Sequence, residues 1–150
     1  MIIGLASDHR GFTLKKALID YLMEKGYQVI DYGTNSIESC DYPDFAYKLG
    51  KGLINGEVTF GIAICGSGIG ISIALNKMKG VYCAKVNNYE EAYHTRYDNN
   101  TNCVAFGEKT SFTEASKIVD IFINTEYSNL EKHTRRINKV KEIEEGTFNG

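Results

Sequence analysis

Five short apolar runs alternate along the chain with segments long enough to form a helix. Each run is too short for a helix and is bounded by polar or turn-forming residues, so each predicts a strand. Strands joined by helix-length segments form right-handed βαβ units and therefore a parallel sheet. We expect an α/β fold: a Rossmann-like, five-stranded parallel sheet in a three-layer sandwich, with the flavodoxin-like strand order 2-1-3-4-5 and a C-terminal helix. The expected strands lie at 2–6, 27–32, 60–65, 81–86 and 103–106.

The segments between these runs carry the start and stop signals of helices. Apolar residues recur at helical spacing from Leu14 to Leu22, and Gly26 follows as a typical helix-ending glycine. Pro43 fits the first turn of the next helix, which is expected to end near Asn55. Residues 111–114 form a capping box. The other helices are expected at 71–77, 89–97, 115–123 and about 131–145.

Composition and charge exclude several classes of protein. The 150 residues fit one domain, which we expect to span 1–150. A net charge of −2 gives no electrostatic case for binding nucleic acid. Four cysteines without a Cys-x-x-Cys pair, and three histidines without zinc spacing, argue against a disulfide framework or a metal site and favour the reducing cytoplasm. We also expect neither a signal peptide nor a membrane span, since no apolar stretch reaches about 18 residues.

Two polar, glycine-bearing loops follow the first and third predicted strands. They are Ser7-Asp8-His9-Arg10-Gly11 and Cys65-Gly66-Ser67-Gly68-Ile69-Gly70. Ligands of open parallel sheets bind beyond the carboxyl ends of the strands at the topological switch point. That point is expected between strands 1 and 3, so the two loops should flank one crevice.

The glycine loop suits an anion or a developing negative charge, because backbone N–H groups can approach a ligand closely at the start of a helix. It is neither a dinucleotide fingerprint nor a P-loop, so no nucleotide cofactor is indicated. The alternative is a tight turn that merely needs glycine. Cys65, at the same helix start, is placed as a thiolate base or nucleophile, whereas Cys40, Cys83 and Cys103 are interpreted as ordinary loop or core residues.

Other polar residues admit two interpretations. Asp8 and His9 are consecutive in the first crevice loop. His9 would suit either hydrogen-bond donation to a phosphate or acid–base chemistry. Lys132 and Arg136 share a face of the last helix, which is either a solvated charged surface or a phosphate site at a crevice, including that of a neighbouring subunit. The polar stretch at 96–102 lies before strand 5, so it forms either a simple helix end or part of a partner subunit's site.

Six segments together give the chain a resemblance to the ribose-5-phosphate isomerase B and galactose-6-phosphate isomerase family, over nearly its whole length. The segment around Cys65 is the most specific. The segments are SDHRGF at 7–12, VIDYGT at 29–34, DYPDFA at 41–46, GIAICGSGIGISIALNK at 61–77, NNTNCVAFGEK at 99–109 and KHTRR at 132–136.

This resemblance implies aldose–ketose isomerisation of a phosphorylated sugar without metal or cofactor, with ribose 5-phosphate as the leading substrate. It implies that Cys65 removes a proton beside the carbonyl to give a cis-enediolate, that Ser67 assists, and that the loop amides stabilise the oxyanion. It also implies a homodimer, or a dimer of dimers, whose sites combine residues of both chains. The implied substrate-binding residues are Asp8, His9, Tyr42, Gly66, Gly68, Ile69, Gly70, Asn99, Lys109, Lys132 and Arg136.

The chain departs from the family pattern at three positions. The family histidine that opens the sugar ring falls at Asp98, and two family arginines fall at Lys109 and Lys132, where lysine keeps the charge but loses bidentate geometry. Asp98 is the expected catalytic replacement, and it would have to be protonated to act as an acid. His94 lies one helical turn before it, so a His94–Asp98 pair is a further hypothesis.

These departures leave alternatives open. A six-carbon aldose 6-phosphate of the galactose or allose type could be the substrate, and a second kind of subunit could be required. A sugar-phosphate binding protein without catalysis is a different class, which the retained Cys65 and Ser67 disfavour. A flavin-binding domain is disfavoured because no aromatic pair is placed to enclose a flavin.

Overall fold

The computed structural model describes all residues from Met1 to Gly150. Five strands alternate with six helices, and the element types agree with the sequence pattern throughout. The strands are β1 (Ile2–Ser7), β2 (Gln28–Asp31), β3 (Phe60–Cys65), β4 (Cys83–Lys85) and β5 (Cys103–Gly107). The helices are α1 (Phe12–Glu24), α2 (Tyr42–Ile54), α3 (Ile69–Asn76), α4 (Tyr89–Tyr97), α5 (Phe112–Asn124) and α6 (Glu131–Glu145).

All five strands pair in parallel, which confirms the expected sheet, but the predicted strand order is wrong at one edge. The observed order is β2-β1-β3-β5-β4, so β5 lies beside β3 and the short β4 forms the edge. The reason lies in α4, whose Ala92 packs into the same core cluster as α1 and α5. A right-handed connection through a helix on that face must return toward β3, which places β5 inside the sheet. The switch point between β1 and β3 is unaffected.

Side-chain size differs between the two faces of the sheet. The face toward α1, α4 and α5 carries branched and aromatic residues, whereas the face toward α2 and α3 carries glycine, alanine and cysteine. The large residues are Ile3, Leu5, Ile62, Ile64, Val104 and Phe106, and the small ones include Ala6, Ala63, Cys65, Cys103 and Ala105. Strand side chains alternate between faces, so the Cys65 side chain ends the row of small residues toward α2 and α3.

The start of α3 lies two residues before the predicted one, at Ile69. Gly68 precedes it with φ +80°, a left-handed conformation that glycine adopts without steric cost. The chain can therefore leave β3, turn within the glycine loop and enter the helix directly beyond Cys65.

The C-terminal α6 has no fully buried residue. Its polar contacts with the rest of the chain include two at Glu144: the Tyr82 hydroxyl donates to this carboxylate at 2.9 Å, and the Gly80 N–H donates to it at 3.2 Å. No helix in the structure is both long and apolar enough to cross a bilayer.

Candidate active site

Cys65 is the last residue of β3 and is 4% exposed. Its Sγ accepts a hydrogen bond from the Gly68 N–H at 3.2 Å. That N–H belongs to the start of α3, where unpaired backbone donors stabilise negative charge. The Cys65 sulfur therefore lies against a backbone donor at a helix start.

Close packing fixes the glycine loop against its neighbours. A Cβ at Gly68 would lie 2.7 Å from the backbone of Phe106, and a Cβ at Gly107 would lie 2.9 Å from the Gly66 carbonyl oxygen. A Cβ at Gly70 would lie 2.6 Å from the ring of Tyr42. The contacts at Gly68 and Gly70 leave no room for a side chain at these two loop positions, and the contact at Gly107 packs β5 against the loop. Tyr42, the first residue of α2, lies against the start of α3.

Ser67 is exposed at the tip of this loop. Its Oγ accepts from the Ile69 N–H at 3.1 Å. The next amide, that of Gly70, lies in the first turn of α3, where N–H groups have no partner within the helix. The loop thus presents the Ser67 hydroxyl and the Gly70 N–H next to Cys65.

The Asp8–Gly11 loop lies against the end of β3. The Asp8 N–H donates to the Ile64 carbonyl oxygen at 3.3 Å, and a Cβ at Gly11 would lie 2.7 Å from Ile64. Asp8 is 6% exposed, and its Oδ1 accepts from the N–H groups of Arg10 at 3.0 Å and Gly11 at 3.2 Å. The two loops expected to flank one crevice therefore do meet.

His9 has a defined partner for one ring nitrogen. The Cys40 N–H donates to Nδ1 at 3.2 Å, so Nδ1 is the acceptor of the neutral ring. The proton of that neutral ring then resides on Nε2. His9 can therefore donate a hydrogen bond from Nε2 to a ligand oxygen.

Arg10 and Glu108 form a pair that sequence reasoning missed. The guanidinium donates to the two carboxylate oxygens at 2.8 and 3.0 Å, and the Glu108 N–H donates to the Cys65 carbonyl oxygen at 2.9 Å. Hydrogen bonding to Arg10 lowers the pKa of Glu108, and the same bond raises the pKa of Arg10. The pair connects the β1 and β5 loops beside the crevice. In the sequence, the two residues are connected only in that both lie in segments that resemble the isomerase family.

Lys15 is a further residue near the site that no sequence pattern indicated. Its side chain is fully buried in α1, and Nζ donates to Asp31 and to the Thr34 carbonyl oxygen, both at 2.6 Å. The Thr34 N–H in turn donates to the Ser7 carbonyl oxygen at 2.7 Å. Lys15 therefore supports the end of β1 from which Asp8 and His9 project.

A second polar cluster lies between the end of α4 and the first part of α6. Asp98 Oδ2 is 3.3 Å from His94 Nδ1, and Asp98 Oδ1 is 3.4 Å from His133 Nε2. Asp98, Asn99, His133 and Arg136 line a cavity of about 250 Å³. The expected His94–Asp98 contact exists, but the contact with His133 was not foreseen because the two residues are 35 positions apart in sequence.

The two clusters lie at opposite ends of the sheet within one chain. Cys65 is at the carboxyl end of β3, whereas α4 delivers Asp98 to the side from which β5 starts. Ten of the predicted site residues lie at the end of the sheet near Cys65, and four lie at the opposite end. At the first end are Asp8, His9, Tyr42, Cys65, Gly66, Ser67, Gly68, Ile69, Gly70 and Lys109; at the other are Asp98, Asn99, Lys132 and Arg136.

Known proteins resemble the chain over nearly its full length. The model of the Ribose/Galactose Isomerase family matches residues 3–140. Ribose-5-phosphate isomerase B of Escherichia coli is 39% identical over 144 residues, which cover 95% of this chain and 96% of that protein. The structure of ribose-5-phosphate isomerase B from Clostridium thermocellum has 42% identity and a TM-score of 0.94, covering 97% of this chain and 99% of that one.

A further solved structure carries a ligand. Ribose-5-phosphate isomerase B from Mycoplasma genitalium, described with bound ribulose-5-phosphate, has 37% identity and a TM-score of 0.89, and the match covers 96% of each chain. With this agreement in sequence and in fold, the chain belongs to the ribose/galactose isomerase family.

Proposed function

We propose that this protein interconverts ribose 5-phosphate and ribulose 5-phosphate through a cis-enediolate, with Cys65 as the base. The observation that carries the proposal is the buried Cys65 Sγ, which accepts from the Gly68 N–H at the start of α3. The thiolate takes the proton from C2 of the open-chain aldose. The C–H electron pair forms the C1–C2 double bond, and the carbonyl π electrons move to O1. The O2 proton then passes to O1, and the O2–H electron pair forms the C2=O2 double bond. The C1–C2 π pair takes the proton from the Cys65 thiol at C1, which gives the ketose and restores the thiolate.

The other predicted site residues at the carboxyl end of β3 bind the substrate and stabilise the enediolate. The amides of the glycine loop and the Ser67 hydroxyl hold the enediolate oxygens, where preorganised donors act most strongly on developing charge. His9 donates from Nε2 to a substrate oxygen, because Nδ1 is engaged by Cys40. Asp8, Tyr42 and Lys109 complete the substrate contacts on this side.

The other half of the site comes from a second copy of the chain. Asn99, Lys132 and Arg136 suit a sugar phosphate, yet they lie at the far end of the sheet from Cys65. A dimer in which one copy's Asn99 and Arg136 face the other's Cys65 would complete both sites. Support comes from Ile69 and Ile73, one helical turn apart on α3 next to the glycine loop and each 55% exposed.

A six-carbon aldose 6-phosphate is the second candidate substrate. The family model covers ribose and galactose isomerases alike, and Asp98 stands where the resembled family has a histidine. A purified sample should be assayed for aldose–ketose interconversion with ribose, allose and galactose phosphates. The proposal expects the highest kcat/KM with ribose 5-phosphate. Binding without turnover across the panel would show a non-catalytic binding protein.

A further inference from the structure

His133 is the more buried of the two histidines that contact Asp98. Its side chain is 15% exposed, and Nε2 lies 3.4 Å from Asp98 Oδ1. It lines the same cavity of about 250 Å³ as Asn99 and Arg136. The family resemblance gives His133 no function.

A pentose 5-phosphate aldose exists chiefly as a five-membered ring, whereas the proton transfer at C2 needs the open-chain aldehyde. Opening the ring requires a proton at the ring oxygen O4 as the C1–O4 bond breaks. An ionised carboxylate can only accept hydrogen bonds, and both Asp98 oxygens already face imidazoles. Imidazole is the side chain that most readily exchanges protons near neutral pH.

We propose that His133 is the acid that opens the sugar ring and that Asp98 is its positioning residue. This inference rests on the proposed function and on the two-copy site described with it. The Asp98 carboxylate faces Nε2 and fixes the orientation of the ring, as a carboxylate does for a catalytic histidine elsewhere. Nδ1 is then the nitrogen that delivers the proton.

The step balances without any further reactant. The imidazolium gives its Nδ1 proton to O4, and the electron pair of the C1–O4 bond goes to O4. The electron pair of the O1–H bond forms the C1=O1 double bond, and that proton passes to a solvent water. His133 then regains a proton from solvent.

His94 is the competing candidate, and its surroundings differ. Its side chain is 66% exposed. It lines an adjoining cavity of about 440 Å³, which shares Asn99 with the His133 cavity but does not include Arg136. His133 instead shares its cavity with Arg136, whose guanidinium suits the phosphate of the same substrate. His94 therefore serves as a matched control, because it also contacts Asp98.

Ribulose 5-phosphate separates ring opening from proton transfer. Its O5 carries the phosphate, so it cannot close a five-membered ring and remains open-chain. Exchange of deuterium from D₂O into its C1 position depends on the base but needs no ring opening. Turnover of ribose 5-phosphate needs both steps.

The experiment measures both reactions for His133→Asn, Asp98→Asn and His94→Asn, with circular dichroism as a check on folding. His133→Asn should lower kcat/KM for ribose 5-phosphate about 100-fold. Its exchange rate with ribulose 5-phosphate should stay within a factor of about 2 of wild type. Asp98→Asn should show the same split to a smaller extent, and His94→Asn should change neither rate.

Three results would overturn the proposal: equal losses in both reactions for His133→Asn, full activity toward ribose 5-phosphate for that variant, or the split appearing in His94→Asn instead. If His133→Asn fails to fold, His133→Gln and Asp98→Asn carry the test. Failure of the underlying isomerase function would look different, because wild type would then show neither turnover nor exchange.

Discussion

Gly68 is the residue whose geometry most directly controls the position of the Cys65 sulfur. Its φ of +80° and the 2.7 Å that would separate a Cβ from the Phe106 backbone leave no room for a side chain. Its N–H is also the donor to Cys65 Sγ. A substitution here should disturb conformation, packing and chemistry together.

Gly68→Ala is expected to lower the free energy of unfolding by about 1–3 kcal/mol and to abolish most turnover. Gly56→Ala is the matched control, because Gly56 has φ +76° but no atom within 4 Å of its Cβ position. The control should cost about 1 kcal/mol and leave activity intact. Urea unfolding and steady-state assays measure both effects; equal behaviour of the two variants would contradict the packing argument.

The Arg10–Glu108 pair predicts a dependence of stability on pH. Hydrogen bonding to Arg10 lowers the pKa of Glu108 in the folded state below its ordinary value of 4.5. The stabilisation is therefore complete above that value and is lost as the pH falls through the lower, folded-state pKa. Thermal unfolding temperatures of wild type and Glu108→Gln should differ at pH 7 and converge as the pH falls below the folded-state pKa of Glu108. A difference that stays constant with pH would contradict this role.

At the scale of elements, the contact between Tyr82 and Glu144 attaches the C-terminal half of α6 to the body, and the contact between His133 and Asp98 lies at its other half. Burial and the hydrogen bond to Glu144 raise the pKa of Tyr82 to about 12, so its hydroxyl remains a donor at neutral pH. Since α6 buries no residue completely, this contact should matter for its position. The position of α6 in turn sets where Arg136 and His133 lie.

Tyr82→Phe is expected to raise KM for ribose 5-phosphate severalfold while changing kcat little, because the proposed phosphate-binding residues Lys132 and Arg136 lie on α6. Amide hydrogen exchange in residues 131–145 should become faster in the variant, with α2 and α3 unchanged. Tyr127→Phe provides the comparison, since it removes a hydroxyl contact with Thr134 at the start of the same helix. Unchanged amide hydrogen exchange in α6 would show that the contact between Tyr82 and Glu144 does not hold this helix in place.

The order and type of the helices and strands could be predicted from the sequence, and the errors in the prediction have physical causes. Periodicity located every strand and helix, but it carries no information on which face a helix covers, so the position of β5 was missed. The glycine loop and Cys65 were placed correctly because they follow a continuous buried strand. His133 and the Arg10–Glu108 pair were missed because their partners are distant in sequence and meet only in the folded chain.

At the scale of the whole molecule, the proposed function predicts that each site combines residues of two copies, because the two clusters lie at opposite ends of the sheet. Cys65→Ala and Arg136→Ala should each be inactive or nearly so at low substrate concentration, for different reasons: the first lacks the base, and the second lacks phosphate binding and should chiefly show a raised KM. In a mixed dimer, both changes fall in one site and the other site is intact.

Unfolding and refolding the two variants together should therefore restore about a quarter of wild-type activity through random pairing. Refolding each variant alone should restore none. Sedimentation analysis should find a dimer or a dimer of dimers. Activity in the mixture no higher than the average of the separate variants would contradict a shared site.

The role of Cys65 as the base is tested most directly by deuterium exchange from D₂O into C1 of ribulose 5-phosphate, followed by NMR. Wild type should exchange one C1 hydrogen, and Cys83→Ala, which removes a buried thiol at the far edge of the sheet, should do the same. Cys65→Ala should fold, bind the substrate and show no exchange above the uncatalysed rate. Exchange by Cys65→Ala at close to the wild-type rate would contradict the assignment.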